Sequence, residues 1–114
     1  MNSDYDLYTL VKKNNIDKIR LLLKDPLVDP AADNNHLIRY ASEKGKTEIV
    51  RLLLEDPRVN PSADTNYAIR LASQNGHTEV VKMLLEDSRV DPTAANHVKF
   101  VMKLEMNLKV YQVL

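Results

Sequence analysis

The 114-residue chain predicts an all-α solenoid: three helix-turn-helix units stacked side by side, followed by a divergent C-terminal partial repeat. Three observations predict it. The sequence matches itself at an offset of 31, so that Asp33 recurs as Asp64, Gly45 as Gly76, Val59 as Val90 and Pro61 as Pro92, and residues 33–63 laid on 64–94 give 18 identities. Each copy ends on the same stop, LLLKDPLVDP, LLLEDPRVNP and MLLEDSRVDP. Each copy also has room for two short helices but too little interior to stand alone, so neighbours must stack and share one core. The units are 2–32, 33–63 and 64–94 in a single repeat domain, 1–114, with 95–114 as a divergent helical cap.

Within a unit, Asn66 is expected as the N-cap of the first helix, its side chain accepting from an orphan N–H of the first turn. Ala68, Ile69, Ala72 and Ser73 then give that helix a face of small residues against which a neighbouring backbone can approach. Gly76 ends it, since glycine takes positive φ without strain. The second helix starts near Thr78, with Glu79 in the first turn where the dipole favours an anion. Val80, Val81, Met83, Leu84 and Leu85 form a stripe broad enough to be packed between neighbours. Pro57 stops the equivalent helix of the preceding unit by pushing Asp56 out of the α region. Pro61 rules out a central strand and leaves Val59 as a single apolar peg in the loop.

These residues carry a family resemblance. Ile69-Arg70-Leu71-Ala72-Ser73 and Asn75-Gly76-His77-Thr78-Glu79-Val80-Val81-Lys82-Met83-Leu84-Leu85 resemble the ankyrin repeat, T-P-L-H-x-A-A-x-x-G-H-x-E-I-V-x-L-L-L, and the resemblance covers 2–94. Tyr67-Ala68-Ile69-Arg70 and His36-Leu37-Ile38-Arg39 replace T-P-L-H, Asp-Pro or Asp-Ser replaces the loop glycine, and the unit is 31 residues long where about 33 is usual. The missing residues fall on either side of Val59, so a shorter turn is expected in place of the family's β-hairpin. The D-P-x-V-D-P loop is also similar to those of arrays in giant viruses and protists.

Composition narrows the function. Sixteen basic and sixteen acidic side chains give zero net charge, and they are evenly spread, which disfavours a nucleic-acid partner. No stretch approaches the roughly 18 apolar residues of a membrane span. There is no cysteine, which suits a reducing, intracellular and cytoplasmic setting and removes disulfides and thiolate metal sites. His77-Thr78-Glu79 has the H-x-E form of a zinc deaminase but lacks the P-C-x-x-C that chemistry requires. Lys46 and Asn15 stand at the His77 position in the other units, a substitution no metal ligand tolerates. The carboxylates recur with the repeat, as helix ends do, and no Ser-His-Asp set or phosphate loop can be drawn. Neither a catalytic site, a metal site nor a cofactor site is expected.

What the resemblance implies is protein binding on the concave surface made by the loop tips and the exposed end of the first helix. The matching positions are Asp33, Asn34, Asp64 and Thr65 at the loop, and Glu43, Lys44, Gln74 and Asn75 before the glycine. Arg58 and Arg89 lie at the preceding turn. Units two and three differ at several of these positions while their framework stays the same, as a recognition surface requires and as drift on a solvated face also gives. Recurrent Asp33/Asp64 and Arg39/Arg70 instead suggest a helix-start cap and an inter-unit hydrogen-bond ladder. An alternative is a targeting or adaptor subunit, for example one recruiting substrate to a ubiquitin ligase, whose tail docks a second protein. In the tail the repeat fails: Lys103 falls at the Ala72 position and Asn107 at the Gly76 position. A helix over about 98–106 is expected, with a second short one after it. Apolar residues left over there imply self-association or partner docking.

Overall fold

The computed structural model describes residues 6–93; the tail helices expected over 95–114 lie outside them. Six helices follow in pairs: α1 (Leu7–Lys12) with α2 (Ile16–Leu23), α3 (Ala32–Glu43) with α4 (Thr47–Leu54), and α5 (Ala63–Gln74) with α6 (Thr78–Glu86). The first helices α1, α3 and α5 form one row and the second helices α2, α4 and α6 another, each packing on the next of its kind. There is no strand among the described residues, and the shortened loop is a series of turns, as its length implies.

The turn between the paired helices follows from one backbone requirement. Gly45 and Gly76 take φ of +71° and +75°, and unit one solves the same turn with Asn14 at +57°. Asparagine tolerates this region better than other side chains, so the missing glycine does not break the repeat. The loop motif is equally local. Asp25, Asp56 and Asp87 each accept, at 2.9 Å, from the N–H two residues on, and Asp29, Asn60 and Asp91 do the same from 2.9 to 3.0 Å. Each stop signal is therefore two successive Asx turns around one valine. Val59 and Val90 are buried, the apolar pegs between those turns. Asp87 leaves the helix although Ser88 replaces proline, and without that proline α6 runs one repeat position further than α4.

One apolar cluster runs through all three units. Ile19, Val50 and Val81 at one repeat position, and Leu53 with Leu84 at another, are buried from the second helices. Ile38 and Ile69 meet them from the first. Ala41 and Ala72 are fully buried, and their small size lets α3 and α5 lie close, whereas unit one carries Leu10 at that position. On the outer face Asp17–Arg20, Glu48–Arg51 and Glu79–Lys82 repeat one i,i+3 ion pair, each solvated and worth little.

Two local expectations are corrected. Asn66 does not cap α5. Asp64, Thr65 and Asn66, like Asp33, Asn34 and Asn35 before α3, take φ of +55° to +60°, three left-handed residues in succession. The asparagine side chains turn away from their own helices: Asn35 accepts from Asn60 N–H at 2.7 Å and Asn66 from Asp91 N–H at 3.4 Å, tying the loop to the helix start. Nor do Asp33 and Asp64 cap, since no side-chain cap bond is made at α3 or α5. Arg39 and Arg70 donate mainly inside their own units, to the carbonyls of Asp33 and Asn34 and of Asp64 and Thr65, at 2.9–3.3 Å. Those bonds hold the left-handed turns in place. Between units, Arg39 pairs with Asp64 at 3.9 Å and stands over the Tyr67 ring.

Candidate functional site

The ten residues singled out by sequence fall into three rows. Asp33, Asn34, Asp64 and Thr65 project from the left-handed turns at the start of α3 and α5. Glu43, Lys44, Gln74 and Asn75 lie at the opposite ends of the same helices. Arg58 and Arg89 form the third row, in the loops after α4 and α6.

Arg58 grips Asp56 with two bonds of 2.8 and 3.0 Å and reaches back to the unit before, donating to the carbonyls of Leu23, at 2.9 Å, and Val28. Arg89 repeats this one unit later, with bonds of 2.7 and 2.9 Å to Asp87, 2.9 Å to the Leu54 carbonyl, and one to the Val59 carbonyl. A guanidinium presents a planar fork of donors, so one side chain can hold its own turn and the neighbour's carbonyls together. The hydrogen bonds from Arg58 and Arg89 hold the carboxyls of Asp56 and Asp87 below their ordinary range. Both arginines are thus committed to joining units. The sequence set them at the preceding turn as candidate partner contacts and did not show what they reach.

Glu43 and Asn75 are engaged as well. The Glu43 carbonyl accepts from Asn75 Nδ2 at 3.0 Å and lies 2.9 Å from His77 Nε2, which must carry its proton because a carbonyl only accepts. The Glu43 carboxylate accepts from the Tyr67 hydroxyl at 2.7 Å, and that bond raises the tyrosine's pKa. His77 therefore joins units two and three, and Lys46, at the same position one unit earlier, donates to Asn14 at 2.9 Å to join units one and two. The side chains of Asp33, Asn34, Thr65 and Gln74 are exposed and make no hydrogen bond or ion pair among the described residues.

Sequence reasoning missed the strip between the first and second rows. Tyr8, His36 and Tyr40 form one aromatic group, with ring centroids 4.9 to 6.1 Å apart. Tyr67 continues it on α5, with the guanidiniums of Arg39 and Arg70 5.2 and 5.8 Å from its ring centroid. The signal was available. His36, Tyr40 and Lys44 recur at four-residue spacing, as do Tyr8 and Lys12, which puts each set on one helix face.

Among the described residues no cluster of three or more His, Cys, Asp or Glu is arranged to hold a metal ion, and no helix is long and apolar enough to cross a membrane. The polar groups of the turns and of the first-helix face are instead consumed at turns and unit boundaries, or stand exposed along that face. No curated protein and no solved structure matches the chain significantly. The family model for ankyrin repeats, in three copies, matches residues 7–96. The chain belongs to the ankyrin-repeat family.

Proposed function

We propose that this chain is a non-catalytic module that binds a protein partner on its first-helix face. Ankyrin repeats generally mediate protein–protein interaction. One observation carries the reading for this chain: on a scaffold whose recurrent polar residues are spent on turns and unit boundaries, Asp33, Asn34, Thr65 and Gln74 stay exposed and uncommitted. Lys44 and Asp64 extend that surface. Arg58, Arg89, Glu43 and Asn75 contribute through the shape they impose rather than as first points of contact. Capture of proteins by the immobilised chain should be lost when Asp33, Asn34, Thr65 and Gln74 are all changed to alanine, with the melting temperature unchanged. Capture of the same set by that variant would sink the reading.

The abrupt loss of the repeat after 94 supports a second reading, in which the basic, apolar tail docks another protein and the repeats act as an adaptor. A chain ending at Ala94 would then retain one set of partners and lose another.

A further inference from the structure

The aromatic side chains of the first helices converge with lysines at one corner of the first-helix face. Tyr8 of α1 stands 4.9 Å from His36 and 5.2 Å, edge-on, from Tyr40, both on α3. Lys12, one helical turn after Tyr8, holds its ammonium 4.7 Å from the Tyr8 ring centroid, and Lys44, one turn after Tyr40, holds its own 5.9 Å from the Tyr40 centroid. The rings are half-buried and both lysines exposed. A ring face occupies one side of an ammonium, so N–H donors on its other sides remain for a second partner.

The carboxylates that would neutralise this corner are occupied elsewhere. Glu43 accepts from Tyr67, Asp6 accepts from the Tyr8 N–H as the N-cap of α1, and Asp64 lies beside Arg39 at the far end of the helices. Lys12 and Lys44 pair with no carboxylate among the described residues. The contrast with unit three is local: Leu71, Gln74 and Asn75 stand where Tyr40, Lys12 and Lys44 stand in units two and one, so the lysines and the paired rings have no counterpart there, and unit three keeps the single ring of Tyr67 beside two arginines. In a chain of zero net charge, a cationic and aromatic corner selects its complement.

Resting on the reading of the first-helix face as the binding face, we propose that Tyr8, Lys12, His36, Tyr40 and Lys44 receive an acidic polypeptide segment in which carboxylates flank an aromatic or large apolar side chain. The ring edges take the apolar group, at the spacing aromatic groups prefer, and the two ammoniums take carboxylates on either side of it.

The test is a backbone-amide NMR titration of the full chain with a random copolymer of glutamate and tyrosine, set against polyglutamate. The copolymer should shift amides centred on Tyr8, Lys12, His36, Tyr40 and Lys44, and bind at least tenfold more tightly than polyglutamate. Lys12→Gln with Lys44→Gln should abolish the difference while leaving the melting temperature in place, because both side chains are exposed. Equal binding of the two polymers, or binding indifferent to the double substitution, overturns the proposal. Shifts centred instead on Asn34, Thr65 and Gln74 would overturn this partner chemistry but leave the first-helix face standing. Shifts confined to α2, α4 and α6 would remove both. No binding of the copolymer also counts against the proposal.

Discussion

The boundary between units one and two and the boundary between units two and three are built alike at one end and differently at the other. At the loop end both use one device: Arg58 onto the Leu23 and Val28 carbonyls, then Arg89 onto the Leu54 and Val59 carbonyls, each arginine also holding the aspartate two residues before it. At the helix-turn end the first boundary has Lys46 on the Asn14 side chain, and the second has His77 and Asn75 sharing the Glu43 carbonyl. The difference teaches where this stack keeps its geometry and where it is free to vary. A guanidinium that must reach two backbone carbonyls permits no substitute, whereas a single hydrogen bond across the turn can be made by several side-chain types.

The strongest way to break both boundaries at once is through the core they share. Leu53 is fully buried in the middle unit, and Leu53→Ala should cost about 2–5 kcal/mol. Because neighbours share one interior, the chain should still unfold in one transition; two separate transitions in calorimetry would contradict the shared core.

Breaking only the fixed end comes next. Arg89→Ala strands the Leu54 and Val59 carbonyls and removes the partner of Asp87, at roughly 1–3 kcal/mol after allowance for partial exposure. Arg89→Lys should recover only part of this in urea unfolding, since lysine lacks the fork. The same contact has a pH signature. Folding depresses the pKa of Asp56 and Asp87, so their contribution is present above the unfolded carboxylate value, near 3.9, and is lost as pH falls toward their lower folded values. Stability should therefore decline on acidification below about pH 5, and the decline should be shallower in the Arg58→Ala, Arg89→Ala double variant. Parallel acid profiles would contradict the assignment.

The variable end is sharpened by its two glycines. A methyl on Gly76 meets nothing within 4 Å, so Gly76→Ala should cost only the left-handed backbone, about 1–2 kcal/mol. At Gly45 the added carbon would sit 2.5 Å from His77 Nδ1, so Gly45→Ala should cost about 1 kcal/mol more by displacing the ring from Glu43. In a His77→Ala background the excess should disappear from a double-mutant cycle. The smallest expected effect has the opposite sign. Ser42 and Ser73 bury hydroxyls without a hydrogen-bond partner among the described residues, where unit one has the fully buried Val11, and Ser42→Ala should raise stability by up to about 1 kcal/mol.

Most of the fold was legible because its determinants are local and repeated. The 31-residue offset, the positive φ at Gly45 and Gly76, and the stop at each Asp need only a few neighbouring residues, and the structure has all of them. The cap at Asn66 was misread because its side chain answers a backbone N–H 25 residues away, at Asp91, which no local pattern announces. The reach of Arg58 and Arg89 across 30 to 35 residues was hidden for the same reason. The aromatic strip has helical spacing in the sequence, but Tyr8 and Tyr40 meet across the boundary of units one and two, a contact that the pattern of a single unit does not contain.

The arginine contacts also have a direction. Each donor lies in the later unit and each acceptor carbonyl in the earlier one, so as the chain leaves the ribosome a newly made unit meets acceptors that have already been synthesised. Synthesis and closure then run the same way, and no finished helix pair waits for a donor not yet translated except at the growing edge. The stack is vectorial: a stalled nascent chain should gain its protease resistance in steps, one as Arg58 emerges and another as Arg89 does.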